Sequence, residues 1–498
     1  PDVRQHVEKA ISAHYTMTGF GGLMTRLGRM LKWAVALVLA AVIAAGVWLY
    51  VAPPALIRVG SGYSAKIVCS NVFLANRDPG EVLALDVQAP GHPLLRLMRA
   101  NVDRGAGTVK AGLFGLFGKG LALYREGTGC ATVADGDLEA ARGLEGAVAQ
   151  AEGPARSDAP WPQGNAVDAP DVAIAGILDS PALSGPGMRA IVVVHRGRII
   201  GERYGDGFSA QTPLLGWSMT KTVTAAIIGT VIKDGRLSRD GKGLFPQWEN
   251  DERRGISLAD MLAMSSGLAF NEDYGDVTDV TRMLYLEPDM AAFAADKPLA
   301  GEIGRTFSYS SGTTVMLSRI WQNAVGDEAE ALAWPRKALF EPLGMHSAIL
   351  ETDARGTFGG SSYLYATARD WARFGQFLLQ DGEWNGRRIL PEGYVDWMRT
   401  PYPASDGEYG RHVWLHGPRV TTPANQPADA GFDLPEDAYW MIGHDGQTIT
   451  VIPSQDLVVV RLGLSPTKLA YKPQALVEAV SKAVAASGAS ARQMRAAE

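Results

Sequence analysis

Cysteine is scarce in this chain, with two in 498 residues. That excludes a disulfide-dense scaffold and a four-cysteine zinc site. The eight histidines are scattered. No His-Glu-x-x-His pair or His/Cys cluster appears, so neither a metal nor another cofactor is expected. An excess of charge of one sign is missing too. Charged residues make up 20% and the net charge is −6. No basic domain stands out, which argues against a nucleic-acid partner. An apolar content of 46% excludes a disordered chain. The length corresponds to about three domains at roughly 150 residues each. No internal repeat is visible.

One stretch lacks charge altogether. Residues 33–52 (WAVALVLAAVIAAGVWLYVA) are apolar throughout. As a helix they extend roughly 30 Å, the thickness of a bilayer core. Trp33, Trp48 and Tyr50 lie near the ends, where interfacial aromatics belong, and Pro53-Pro54 then stops the helix. Arg26, Arg29 and Lys32 precede it closely. Positive residues stay in the cytoplasm, so the bulk of the chain is expected on the periplasmic or outer face of the inner membrane. Residues 1–32 read as a cytoplasmic leader and 33–52 as an uncleaved signal anchor contacting the lipid bilayer. A cleaved signal peptide is the alternative, although the run exceeds the usual apolar region of about 7–15 residues. Cys69 and Cys130 both follow the run, in an oxidising compartment under this topology. A disulfide between them is expected, closing a loop worth about 4 kcal/mol. The alternative is two unrelated small core residues.

Residues 53–142 are expected to form a small membrane-proximal module. Strands are predicted at 65–74, 81–87 and 121–124, with a Gly-rich stretch at 113–120 and no chemical motif. Residues 143–170 are rich in Ala, Pro, Gly and Asp and read as a linker. From 171 to 486 the pattern is α/β, and 487–498 form a tail. Runs 189–195 and 198–203 flank Arg196-Gly197, a hairpin signal. Helices are predicted at 219–232, ended by Gly235, and at 257–264, 313–324, 367–379, 391–398 and 473–486. Thr367 with Asp370 resembles a capping box. Strands return at 438–442, 448–452 and 457–462. Strands at both ends with helices between them suggest one sheet closed by its terminal segments.

The chemistry concentrates in three places. Ser218-Met-Thr-Lys221 opens the first long helix, where positions three apart share a face. A serine hydroxyl needs an adjacent base, and lysine serves if desolvation lowers its pKa. The helix N-terminus adds free N–H groups for a developing oxyanion. A second copy, Ser465-Pro-Thr-Lys468, follows the last strand with no chemical motif downstream and reads as coincidence in a loop. Tyr309, in Phe307-Ser-Tyr-Ser-Ser311-Gly312, is placed to take and return the proton of Ser218, with Lys221 favouring its phenolate. Gly443-His444-Asp445-Gly446-Gln447 leads into a strand. There Gly446 lets substrate pass close to backbone, and the Gln447 N–H is expected as the second oxyanion donor beside that of Ser218. Trp440 is a weaker candidate for lining the cleft. His412 and His416 flank Trp414 in an expected surface loop and receive no role.

In these segments, over residues 171–486, the chain resembles the serine β-lactamase and penicillin-binding-protein superfamily in its class C-like branch. The resemblance rests on WSMTK (217–221), MLAMSSGLAFNEDY (261–274), FSYSSG (307–312), FEPLGMHSA (340–348), YATARDWARFGQFLL (365–379) and GHDGQ (443–447). Within the branch it is similar to 6-aminohexanoate-dimer hydrolases and related esterases. The resemblance implies an α/β (α+β) fold: an antiparallel sheet flanked by helices, plus a mostly helical subdomain, with the active site between them. It implies an acyl-enzyme on Ser218, with Lys221 and Tyr309 as the general-base pair. It nominates Tyr274 of FNEDY as a substrate contact, and sets His444-Asp445-Gly446 against the family's Lys-Thr-Gly. Two departures stand out. Ser311 replaces the asparagine of Tyr-x-Asn, and His444 replaces a permanent cation. Both argue against efficient β-lactam hydrolysis and leave acyl transfer intact. The reading is therefore an exported, membrane-anchored serine hydrolase acting on small-molecule or peptide-like amides or esters. A D,D-peptidase or β-lactamase acting on cell-wall material is the alternative within enzymes, and a catalytically silent membrane-tethered binding protein the alternative outside them.

Overall fold

A computed structural model of the chain describes residues 3–89, 91–144 and 158–497, with side chains over 26–89, 91–144 and 158–487. Helix α1 (Val3–Val51) begins well before the apolar run. Its stretch Arg26–Val51 is long and apolar enough to cross a membrane, and none of it is buried inside the protein. Pro53-Pro54 breaks the chain, and α2 (Ala55–Leu74) follows at once.

Helix α2 replaces the strand expected at 65–74. Every residue from Ser64 to Val72 is buried. A helix covered on all sides shows no amphipathic period. Its β-branched Ile67, Val68 and Val72 therefore gave the segment the look of a buried strand. The strand expected at 81–87 is also helical, as a short turn Pro79–Val82 running into a π-turn Leu83–Gln88. Helix α2 lies on a four-stranded antiparallel meander of β1 (Met98–Asp103), β2 (Thr108–Leu113), β3 (Phe117–Arg125) and β4 (Gly129–Thr132). The Gly-rich stretch permits this contact. A Cβ at Gly120 would stand 2.1 Å from the Ser61 carbonyl oxygen, and one at Gly118 would stand 2.2 Å from Ser61 Oγ. A disulfide joins Cys69 of α2 to Cys130 of β4.

The same helix is clamped to the rest of the molecule. Lys66, 2% exposed, forms an ion pair with Glu351, 0% exposed. Ser70 Oγ and the Cys130 N–H both donate to that carboxylate, at 2.9 and 2.6 Å. Val59, Ala65, Ile67, Val68 and Val72 share one apolar core with residues between Ala190 and Leu462. Of the expected linker, 145–157 lie outside the described residues. Beyond them Trp161 is buried, and Arg373 donates to the carbonyls of Pro162 and Gly164.

The main sheet takes β5 (Met188–His195) and β6 (Arg198–Tyr204) from the start of the second region. From its end come β7 (Tyr439–Gly443), β8 (Gln447–Ile452) and β9 (Leu457–Gly463). The order is β7-β8-β9-β5-β6, antiparallel throughout. Terminal segments close the sheet, and β7 is left as an edge. Between these strands the chain is mostly helical, including α3 (Thr220–Lys233), α4 (Ser311–Val325) and α5 (Ala368–Leu379). The last helix, α6 (Gln474–Ala497), runs past the expected end at 486. Successive strand residues face opposite ways. Ile191, Val193, Trp440 and Val459 pack with Leu476, Val477 and Val480 of α6. Val192, Val194, Met441 and Val460 pack into the core with Phe374 and Phe377 of α5. Trp440 is thus fully buried behind the sheet and does not line a cleft.

Two further expectations change. The Thr367 hydroxyl caps α5 at the Asp370 N–H, but the Asp370 carboxylate accepts from Ser347, so the box is not reciprocal. His412 is 1% exposed, with Nδ1 2.7 Å from the Leu262 carbonyl and Nε2 3.0 Å from Thr314 Oγ1. It is a core histidine, and burial lowers its pKa to about 3, so it stays neutral.

Candidate active site

Helix α3 is entered through a 3-10 turn, Trp217–Met219. Trp217 sits at φ +49, a left-handed conformation costly for a bulky side chain. Surrounding packing holds it there, with its ring edge-on to His444 at 5.6 Å and tilted against Tyr363 at 6.5 Å. Ser218 therefore projects from a constrained turn just ahead of the regular helix. Lys221 lies in the first turn of α3, 1% exposed. Its Nζ is 3.1 Å from Ser218 Oγ, 3.0 Å from Ser311 Oγ and 3.1 Å from the Ser361 carbonyl oxygen. Burial lowers the Lys221 pKa to about 8, against the opposing pull of the Glu272 carboxylate.

Tyr309 completes the cluster. Lys221 Nζ lies 4.8 Å from the centre of its ring. Burial raises the phenol pKa, and a hydrogen bond with Ser218 only partly offsets it. The expected phenolate is therefore disfavoured, and Tyr309 remains protonated where Lys221 titrates. Trp414 and Tyr409 wall its ring at 5.3 and 6.1 Å.

Ser311 does not reach the cleft. It is 0% exposed, and its hydroxyl is used twice. It accepts from Lys221 and donates to Glu272, whose other oxygen takes the Ser311 N–H at 2.8 Å. Ser311 thus bridges Lys221 to Glu272 and positions the lysine, where a substrate contact was expected. Glu272 was not singled out, although it stands in the FNEDY segment two residues before Tyr274. Burial raises its pKa, with Lys221 and Ser311 acting in the opposite sense. The Tyr274 hydroxyl reaches Glu272 Oε1 at 3.4 Å, and its ring stacks on His444 at 5.2 Å. Tyr274 and His444 are thus brought together beside Trp217.

The GHDGQ segment folds differently from expectation. His444, Asp445 and Gly446 form the turn of the β7–β8 hairpin, with Asp445 at φ +57 and Gly446 at φ +85. These are the two positive-φ positions of an Asp-Gly hairpin turn, a signal present in the sequence. A Cβ at Gly446 would meet Arg461 Nη1 at 2.9 Å and Ser465 Cβ at 3.1 Å, so the near neighbours of this glycine are those side chains. It is Gly443 that makes the close approach, where a Cβ would stand 2.2 Å from the Gly216 carbonyl oxygen. Asp445 packs 3.4 Å from His444.

Gln447 does not supply the second oxyanion donor. The Trp440 N–H and C=O leave the sheet edge for Trp414, at 2.8 and 2.9 Å. Trp440 is opposite Thr450, so that is a non-hydrogen-bonded pair. By alternation Gly443 and Gln447 form a bonded pair, which consumes the Gln447 N–H within the ladder. The Gln447 side chain is also engaged, holding the Gly463 N–H and carbonyl at 2.8 and 2.6 Å. The same alternation turns the Ile442 N–H off the open edge of β7, the edge strand that packs against the Trp217–Met219 turn. The outward-facing parity of this edge, which Ile442 and His444 share with Trp440, rather than Gln447, is where the register offers a donor beside the Ser218 N–H.

The second Ser-x-x-Lys copy is structural at Ser465, whose hydroxyl bonds Arg461 Nη2 at 2.7 Å and the Pro186 carbonyl. Among the described residues no group of three or more His, Cys, Asp or Glu side chains is arranged to hold a metal.

Residues 181–473 match the family model described as Beta-lactamase. The 6-aminohexanoate-dimer hydrolase of Paenarthrobacter ureafaciens is 24% identical over 305 residues, covering 56% of this chain and 72% of that protein. Among solved structures, a penicillin-binding protein from Bacillus halodurans shares 16% identity, covering 60% of this chain and 97% of its own, at a TM-score of 0.46. A penicillin-binding protein homologue from Caulobacter crescentus shares 15% identity, covering 64% and 98%, at a TM-score of 0.46.

Proposed function

The chain belongs to the beta-lactamase family, and on that premise we propose that it is a serine hydrolase cleaving amide or ester bonds through an acyl-enzyme on Ser218. One observation carries the reading. A buried lysine with its pKa lowered to about 8 stands 3.1 Å from the hydroxyl of a serine on a constrained turn. Neutral Lys221 accepts the Ser218 proton as Oγ attacks the carbonyl carbon. The oxyanion is met by the Ser218 N–H and by an N–H on the outward-facing parity of the β7 edge, that of Ile442 or His444. The protonated Tyr309 hydroxyl donates to the leaving amine or alkoxide and is replenished from Lys221. Water then attacks the acyl-enzyme by the reverse route, releasing the acid and restoring Ser218. Tyr274 and His444 hold the substrate beside Trp217.

The charge pattern around the span supports anchorage in the inner membrane with the catalytic part outside. Arg26, Arg29 and Lys32 precede an unburied apolar helix, and the two cysteines beyond it are joined. Segment 53–142 then serves as a membrane-proximal support for the 171–486 hydrolase region.

A fluorophosphonate probe tests the nucleophile. Labelling of wild type and Ser465→Ala, with loss of labelling in Ser218→Ala, is the expected result. Retained labelling in Ser218→Ala, or none in folded wild type, overturns the proposal.

A further inference from the structure

Against Trp217, the residue before Ser218, the protein carries a cavity of about 160 Å³. One side is the candidate site itself, with Trp217, Tyr274 and His444. The opposite wall is apolar and comes from the membrane-proximal segment, through Leu56 and Val59 of α2 and the neighbouring Leu94 and Leu95. A pocket walled by aliphatic side chains on one side and by Trp217, Tyr274 and His444 on the other suits the apolar part of a substrate held at that site.

This wall is continuous with the candidate membrane span. Leu94 and Leu95 pack in one cluster with Ile57, Met98 and Leu113, and Leu49 of α1 belongs to the same cluster. The surface alongside is unusually apolar. Phe114 and Leu116, at the tip of the β2–β3 hairpin, are 55% and 63% exposed, and Leu97 is 40% exposed. Lys119 from this hairpin places its Nζ 4.4 Å over the ring of Tyr50, near the end of α1. Exposed Arg58, Arg96 and Arg99 surround them. Exposed apolar tips ringed by basic side chains, at the foot of a membrane helix, fit the headgroup zone of an anionic bilayer.

We propose that the acyl group transferred to Ser218 bears an aliphatic chain, and that the chain enters this cavity from the bilayer surface. The substrate class is thus an amphiphilic ester or amide presented by the membrane. Ser218 Oγ forms the acyl bond as the alcohol or amine leaves with a proton. Water then releases the fatty acid and restores the serine. This inference rests on the serine-hydrolase reading and deepens it.

The test uses the full chain and p-nitrophenyl esters. The kcat/KM ratio of octanoate over acetate is expected to be about ten or more in wild type, and to fall about tenfold in Leu56→Trp, which fills the cavity. Both esters are read on one preparation, so the fraction of folded protein cancels. If Leu56→Trp gives no active protein, Leu94→Trp on the same wall is read identically. Phosphatidylglycerol/phosphatidylethanolamine vesicles then separate the two routes of entry. Octanoate turnover should rise when the full chain is reconstituted in them, and less so in Phe114→Asp/Leu116→Asp. A wild type favouring acetate, or a ratio unmoved by either tryptophan, overturns the chain-binding cavity. A fall in octanoate turnover with vesicles overturns delivery from the bilayer. Absence of both ester turnover and Ser218 labelling overturns the serine-hydrolase reading instead.

Discussion

Substituting Glu272→Gln removes a negative charge without removing volume, and the structure fixes the direction of its effect. Burial drives Lys221 toward the neutral form, and the Glu272 carboxylate pulls the other way. The wild-type acylation rate should therefore rise with pH along a limb centred near 8, as Lys221 loses its proton. Without the carboxylate the lysine loses its proton more easily, so the limb moves to lower pH. Two hydrogen bonds through Ser311 separate the charges. At roughly 5 Å and an effective dielectric of about 20, the interaction is about 3 kcal/mol, or about two pKa units. Solvent at the mouth of the cleft screens part of it, leaving a shift of about one unit.

The assay is the pH profile of kcat/KM for a p-nitrophenyl ester, with a melting curve at each pH to confirm folding. The reasoning fails if the limb of Glu272→Gln moves upward or stays in place. It also fails if activity disappears at every pH while the variant remains folded. In that case Glu272 would itself carry the proton, and its raised pKa would be a functional property rather than a consequence of burial.

Three other outcomes follow from the geometry. Cys69→Ser/Cys130→Ser should lose about 4 kcal/mol in denaturant unfolding, and native protein should show no free thiol before reduction. Glu351→Gln leaves Lys66 buried without its partner and should cost about 3–5 kcal/mol, whereas Lys66→Met/Glu351→Gln, which keeps an acceptor for Ser70 and the Cys130 N–H, should recover most of that loss. Wild type should hydrolyse p-nitrophenyl butyrate better than nitrocefin. His444→Lys should narrow that gap by about one to two decades in kcat/KM, because a charge-assisted bond to the carboxylate is worth roughly 1.5–3 kcal/mol.

The residues proposed to react were legible because their chemistry is local. Ser218 and Lys221 are three apart at a helix start, a relation carried by helix geometry alone. The closed sheet was legible as well, since strands with apolar residues at both parities flank a helical middle. Glu272 was harder to see. It stands 39 positions before Ser311 in sequence, and its bond to the Ser311 N–H exists only once the loop before α4 has folded over. The second oxyanion donor was expected at a residue whose N–H the ladder uses. Reading Asp445-Gly446 as a strand entry rather than a hairpin turn put the expected donor at Gln447, inside the β7–β8 ladder, instead of on the open edge of β7.

Residues 53–142 resisted sequence reading for a reason tied to their role. A helix that must contact a sheet on one side and a hydrolase core on the other cannot show an amphipathic stripe. Besides its apolar packing, the fit depends on missing atoms and a buried charge: Gly118 and Gly120 under Ser61, and Lys66 on Glu351. The buried charge ties the helix to the chemistry. The Lys66 ammonium lies 4.1 Å over the ring of Tyr363, and that ring packs against Trp217, the residue before the nucleophile. Tyr363 also stands two positions after Ser361, whose carbonyl oxygen accepts from Lys221. Loss of the Lys66–Glu351 pair should thus loosen the constrained turn as well as the helix. Relative to its loss of stability, Glu351→Gln should slow Ser218 labelling more than Cys69→Ser/Cys130→Ser does, since it is the Lys66 ammonium that lies over the Tyr363 ring, whereas the disulfide joins α2 to β4. Equal labelling rates in folded samples of the two variants would show that the clamp stabilises the helix alone, with no influence on the turn that presents the serine.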